Sequence, residues 1–254
     1  IEIITQKIYS SVGEKFNISS SQQLSEILFD KLNLPKMKKT KTGFSTDASS
    51  LMSLQNLVAK EDIETFKILE NILKYRHLTK IKSTYVDTIP KLIDTKSGKL
   101  HTIYNQTGTS TGRISSAEPN VQNIPIKTNL GLRVRKAFIT QSKQKSVLMS
   151  ADYSQIELRV LAHFTKDQNL LKSFQNGIDI HASTASKIYK IPIEDISQEM
   201  RRIAKIMNFG VIYGLSPYGI SQQTGLTPDQ GKNFTETYFN EFPGILKYIQ
   251  DTKL

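Results

Sequence analysis

Cysteine is absent from the 254 residues. That excludes a disulfide framework and a thiolate metal site. Long apolar runs are missing too: no stretch approaches the roughly 18 residues a membrane span requires. The opening Ile1-Glu2-Ile3-Ile4 has no initiating Met and no signal-peptide layout, and reads as a cut inside a longer chain. Leu254 follows no helix-stop signal, so the same reading applies there. No Gly-Lys-Ser or Gly-Lys-Thr occurs with Walker spacing, which excludes a P-loop. Acidic residues are the minority: Asp and Glu number 23 against 34 Lys and Arg, a net charge of +11. Such an excess favours a polyanionic partner, although a basic solubilising surface has the same composition.

The apolar pattern is mostly helical. Residues 1–34 read as helix, with Ser19, Ser20 or Ser21 able to cap a run through Leu24, Ile27, Leu28 and Leu32. A basic loop, Pro35 to Gly43, follows. A second helical reach runs from about Ala48 to Tyr85 and ends at Pro90. Lys99–Tyr104 reads as a strand, and residues 105–129 as polar loops. Lys145–Ala151 reads as a short apolar strand that delivers Asp152 to its C-terminal end. From there the chain is helical, broken near Gly214, Pro217, Gly219 and Gly225.

A carboxylate held rigidly at a strand end suits a hard cation such as Mg²⁺. A turn Asp is the plainer reading for one such residue. Ser154 and Glu157 have the spacing of a capping box, as do Asp195 and Gln198 further on.

Residues 195–213 carry the densest pattern. At 100° per residue, Arg201, Lys205, Phe209 and Tyr213 fall within about 120° of one another, with Arg202 on the same side. Ile203, Ile206, Met207 and Val211 fall opposite, with Ala204 and Gly210 among them. One face is core; the other presents cations and then rings. Cations bind phosphates and a ring stacks on a base or sugar, whereas a purely solvated basic face has no need of rings. Gly210 lowers helix propensity by about 1 kcal/mol relative to Ala and suggests close approach by another element. The loops Thr107–Arg113 and Asn120–Pro125, with Arg133, Arg135 and Lys136 nearby, offer hydroxyls, amides and cations of the kind that position a nucleic acid backbone.

Together these segments resemble the family A DNA polymerases, over essentially the whole chain and in the family's order. Asp152-Tyr153-Ser154-Gln155-Ile156-Glu157-Leu158-Arg159 is similar to the first palm motif. Arg201-Arg202-x-x-Lys205-x-x-Asn208-Phe209-Gly210-x-x-Tyr213-Gly214 is similar to the fingers motif. Thr111–Ser116 and Asn120–Pro125 resemble the primer–template motif, and Lys38–Gly43 with Tyr75–Tyr85 resemble the thumb.

The resemblance implies a mostly helical α+β fold of right-hand architecture, its antiparallel palm sheet incomplete in this chain. Thumb helices and the start of the palm would occupy 1–94, the palm 95–164, including the strand ending at Asp152, and the fingers 165–254. It implies DNA-directed DNA synthesis, in replication or repair, with deoxynucleotidyl transfer from dNTP to a primer 3′-OH and release of pyrophosphate. Asp152 and the Tyr153 carbonyl would bind metal, with two Mg²⁺ ions in the complete enzyme. Arg201, Lys205 and His181 would hold the triphosphate, Lys205 also protonating the leaving group. Phe209 would pack on the sugar, Glu157 would block a ribose 2′-OH, and Gln155 would join the substrate-binding set. Tyr213 would stack at the template–primer junction. Arg113, Asn120, Gln122, Asn123 and Asn208 would contact DNA, and Lys38, Lys39 and Lys41 would grip the duplex backbone. The partners implied are primer–template DNA and dNTPs, with no membrane and a monomeric state. The location implied is cytoplasmic and nucleoid-associated in a bacterium, or organellar in a eukaryote.

The family's second palm motif, a His-Asp-Glu triplet, does not occur here. The 254 residues alone are therefore expected to be inactive, lacking the second metal-binding aspartate. Two rivals stand beside this reading: a non-catalytic primer–template binding module, and a single-subunit RNA polymerase, against which Glu157 and Phe209 argue.

Overall fold

The computed structural model describes residues 1–40, 43–58, 62–126, 128–141 and 146–253, without the side chains of residues 218 and 222. Among the described residues the chain is mostly helical, with two small antiparallel sheets of two strands each. The chain divides into two compact units, Ile1–Leu148 and Met149–Leu254.

In the first unit the helical reach expected at 1–34 is broken into α1 (Glu2–Val12) and α2 (Ser21–Glu26), which runs on into a π-helical turn, Ile27–Lys31. Gly13 makes the break: it takes φ 81°, a left-handed conformation open to glycine, and its N–H closes α1 on the Tyr9 carbonyl at 2.8 Å. Ser20 caps α2 through the Gln23 N–H. The second expected reach likewise forms two helices, α3 (Ala48–Val58) and α4 (Ile63–Ile81). Asp62 caps α4, accepting from the Thr65 N–H at 2.9 Å and the Thr65 hydroxyl at 2.6 Å.

These helices bury one stripe each. Ile4, Ile8 and Val12 of α1 meet Leu24, Leu28, Leu51, Leu54, Ile68, Leu69 and Ile72 in a single core. Each fully buried aliphatic side chain contributes about 1.5–3 kcal/mol relative to exposure, so the α1–α4 packing is held mainly by this stripe. The basic loop sits above it as a short hairpin, β1 (Lys39–Thr40) with β2 (Gly43–Phe44). Its base is anchored by Arg76 of α4, which donates to the Thr46 carbonyl and, at 3.1 Å, to the Thr46 hydroxyl. A second hairpin pairs β3 (Ile103–Asn105) with β4 (Ser115–Ala117), and α5 (Asn129–Lys136) follows.

The second unit contains α6 (Ile156–Thr165), α7 (Gln168–Gln175), α8 (Ile180–Tyr189), α9 (Gln198–Ile212), α10 (Pro217–Thr224), α11 (Pro228–Glu241) and α12 (Pro243–Thr252). Starts are written locally. Asp167, Asp179, Ser197, Ser216 and Thr227 cap α7 to α11 in turn. Pro stands at the first position of α10, α11 and α12, where its missing N–H costs nothing. The core joins Leu158, Leu170, Ile180, Met207, Ile220, Tyr238 and Ile245.

Three local expectations are corrected. The strand at Lys145–Ala151 does not form among the described residues: 146–153 carry no strand pairing, and Val147, Leu148 and Met149 are 87%, 70% and 87% exposed. An apolar run becomes a strand only beside another strand's hydrogen-bonding edge. The Ser154–Glu157 capping box is absent as well. Gln155 is the N-cap of α6, in a left-handed conformation with no side-chain cap, and Glu157 is engaged elsewhere. Asp195 lies in a 3₁₀ turn, and Ser197 caps α9 in its place.

Candidate nucleotide and nucleic acid site

The helix α9 has the two faces expected of it. Ile203, Ala204, Met207 and Val211 are buried, whereas Ile206 and Gly210 are only half-buried. The close approach at Gly210 is made by Leu215: a β-carbon on Gly210 would lie 3.0 Å from a Leu215 methyl. On the other face Arg201 is partly exposed, Lys205 exposed and Phe209 half-buried; Tyr213 forms the C-cap at 64% exposure.

The two adjacent arginines differ. Arg202 is spent within its own helix, its Nε and Nη2 forking onto Glu199 at 2.7 and 2.6 Å. Arg201 reaches to α8, where its Nε donates to Asp179 Oδ2 at 2.7 Å. Lys205 has no ion-pair partner among the described residues.

His181 is placed beside this face by the first turn of α8 and is only 3% exposed. Burial drives its pKa down to about 4; Asp179 opposes the shift, and the charges of Arg201 and Lys205 reinforce it. The ring is therefore neutral at physiological pH. Asn208 Nδ2 donates to its Nδ1 at 2.9 Å, which puts the imidazole proton on Nε2. The His181 ring also lies 5.8 Å from that of Phe209. Asn208, assigned to DNA contact by sequence, is fully buried; its amide supports His181 from inside the helix pair. Its Oδ1 has no hydrogen-bond partner among the described residues.

Glu157 of α6 joins the same surface, its Oε1 accepting from the Tyr213 hydroxyl at 2.7 Å. Just before it, Asp152 and Tyr153 are exposed. Gln155 is half-buried, and its Oε1 lacks a partner among the described residues. Asp179, which touches both α8 and Arg201, was not singled out from sequence. The available signal was its place directly before an apolar helical pattern, the position of an N-cap.

In the first unit the amide loop folds onto β4. The Ser116 hydroxyl donates to Asn120 Oδ1 at 3.1 Å, and Gln122 Nε2 donates to the Ile114 carbonyl at 2.8 Å. The Asn123 carbonyl accepts from the Tyr85 hydroxyl. Arg113 ends the exposed loop between β3 and β4, its carbonyl accepting from Thr109 at 2.6 Å. Lys38 lies 3.7 Å from Asp47, and Lys39 is exposed in β1. Lys41 lies outside the described residues.

The helix α9 thus has one buried face and one face of cations and rings, with His181 alongside. The family model "DNA polymerase family A" matches residues 1–254, and the chain belongs to that family. It is 45% identical over 251 residues to DNA polymerase I of Geobacillus stearothermophilus, covering 99% of this chain and 28% of that protein. It is 47% identical over 248 residues to the thermostable DNA polymerase I of Thermus aquaticus, covering 97% and 29%. The chain thus spans less than a third of these relatives' length. A solved structure described as the POL domain of Pol1 from M. smegmatis, in complex with DNA primer-template and dNTP, superposes with a TM-score of 0.89 at 41% identity, over 98% of this chain and 42% of that one.

Among the described residues no helix is long and apolar enough to cross a membrane. Family A polymerases generally use Mg²⁺; among the described residues no group of three or more His, Cys, Asp or Glu could hold a metal ion.

Proposed function

We propose that these residues bind primer–template DNA and a dNTP within a DNA-directed DNA polymerase, which transfers a deoxynucleotide to a primer 3′-OH and releases pyrophosphate. In this reading 1–94 is thumb with the start of palm, 95–164 palm and 165–254 fingers. The observation that carries it is the exposed face of α9, where Arg201, Lys205, Phe209 and Tyr213 follow one another opposite a buried stripe. Arg201 and Lys205 neutralise the triphosphate, with neutral His181 adding an N–H donor. Lys205 supplies a proton to the leaving pyrophosphate. Phe209 packs on the sugar, and Tyr213 stacks at the primer–template junction. Glu157, tied to Tyr213, excludes a 2′-OH. The M. smegmatis complex supports the choice of ligands, since that structure holds both DNA and dNTP.

The donor set does not fit a pair of Mg²⁺ ions by itself. Asp152 and the Tyr153 carbonyl provide one carboxylate and one neutral oxygen, too few for a two-metal clamp. These 254 residues alone are therefore inactive in primer extension. The test is a titration of dCTP onto the chain with annealed primer–template, read by calorimetry. Replacing both Arg201 and Lys205 by Ala should weaken dCTP by about 100-fold, since each removes a charge-assisted phosphate contact. Unchanged affinity sinks the reading and favours a module that binds DNA without the nucleotide.

A further inference from the structure

We infer that Asp179 is a positioning residue for the triphosphate, an inference that rests on the nucleotide-binding reading of α9. One carboxylate does two things. Oδ1 accepts the N–H groups of His181 at 2.9 Å and Ala182 at 3.2 Å, closing the first turn of α8. Oδ2 accepts the Nε–H of Arg201 at 2.7 Å. The guanidinium is thus tethered by its inner donor. Its two Nη groups have no partner among the described residues.

That division matters chemically. A guanidinium is a planar fork of five N–H donors. Engaging Nε fixes the plane and leaves the outer edge for a phosphate to meet with two parallel hydrogen bonds. A free arginine side chain has many rotamers to lose; ordering it beforehand lowers what the ligand must offset. Arg202, one residue on, shows the contrast: its Nε and Nη2 are both committed to Glu199. Both arginines are ion-paired, but Arg202 has its fork occupied whereas Arg201 keeps its outer edge open among the described residues.

The opposite reading makes Asp179 a competitor that occupies the charge of Arg201 until a triphosphate displaces it. The capping bonds argue against this, because Asp179 cannot swing away without uncapping α8. The two readings give opposite signs when Asp179 is removed.

The experiment measures dCTP and dCMP affinity by calorimetry for the 254-residue chain with primer–template, comparing the unmodified protein with Asp179→Ala, Asp179→Asn and Arg201→Ala. Thermal unfolding serves as the folding control. Asp179→Ala should lower the ratio of dCTP to dCMP affinity about tenfold, whereas a merely structural defect lowers both together. Asp179→Asn keeps a good cap and a neutral acceptor for Nε, so it should fall between Asp179→Ala and the unmodified protein. Asp179→Ala binding dCTP as tightly as the unmodified chain, or more tightly, overturns the inference. Should that variant not fold, Asp179→Asn decides alone: affinity at or above that of the unmodified chain overturns it. If Arg201→Ala is without effect, or the unmodified chain does not bind dCTP, the nucleotide reading itself fails and takes this inference with it. A defect in Arg201→Ala with none in Asp179→Ala refutes the positioning role only.

Discussion

The Tyr213 hydroxyl donates a 2.7 Å hydrogen bond to Glu157 Oε1, joining the C-terminal end of α9 to the first turn of α6 across 56 residues of sequence. The capping box that its spacing with Ser154 allowed is not formed, since Gln155 and not Ser154 is the N-cap of α6, and Glu157 Oε1 is held at the ring-bearing end of α9.

The proposed sugar selection rests on Glu157. If its side chain excludes the 2′-OH, Glu157→Ala should raise the affinity for CTP relative to dCTP by about tenfold or more, with annealed primer–template present. Tyr213→Phe keeps the carboxylate but removes one hydrogen bond, a loss of about 1 kcal/mol, and should shift the ratio less. Competition binding with the two triphosphates measures both. An unaltered ratio in Glu157→Ala contradicts the steric role.

His181 makes stability depend on pH. Its folded pKa of about 4 lies below the ordinary 6.5, so the unfolded chain binds the proton more readily. The stabilisation is complete above pH 6.5 and is lost as pH falls toward 4. At about 1.4 kcal/mol per pH unit, the loss is on the order of 3 kcal/mol. The groups facing the ring include Asp179, whose carboxyl burial would raise, but which hydrogen bonds from Arg201 and two backbone N–H groups hold below its ordinary value. Its own contribution is therefore lost only at still lower pH. Urea unfolding from pH 7.5 to 4.5 should show a falling midpoint that His181→Gln flattens; parallel curves for the two proteins contradict the assignment.

Asp167 is a structural counterpart to Asp179. It is 3% exposed, caps α7 through Asn169 and Leu170, and accepts the Gly244 N–H of α12 at 2.8 Å. Asp167→Ala removes a cap and leaves the part-buried Gly244 N–H unpaired, together about 2 kcal/mol. Chemical denaturation should show that loss. A change below about 0.5 kcal/mol would mean that α7 and α12 do not depend on this carboxylate.

DNA binding should fall steeply with salt, since phosphate contacts release counterions. Lys39 is exposed in the β1–β2 hairpin. Lys39→Gln should weaken binding alike for all sequences and reduce the slope of log affinity against log salt by about one. Fluorescence anisotropy of labelled duplex at several salt concentrations measures it. A slope near zero in the unmodified chain contradicts the reading in which Lys38, Lys39 and Lys41 grip the duplex backbone.

The amino-acid sequence alone determined most of the helices, a serine cap among Ser19, Ser20 and Ser21, the break at Gly214 and the two faces of α9, because these depend on hydrogen bonds and side-chain spacing within a turn or two. It also held the motifs by which the family is recognised. Only the tertiary structure decided that Glu157 meets Tyr213, that Asp179 holds Arg201, that Asn208 is sealed beneath the surface, and that Val147–Met149 forms no strand among the described residues. Each of these depends on which distant helix or strand edge packs alongside. Burial, a neutral histidine and a pair 56 residues apart are properties of that packing, and no local spacing encodes them.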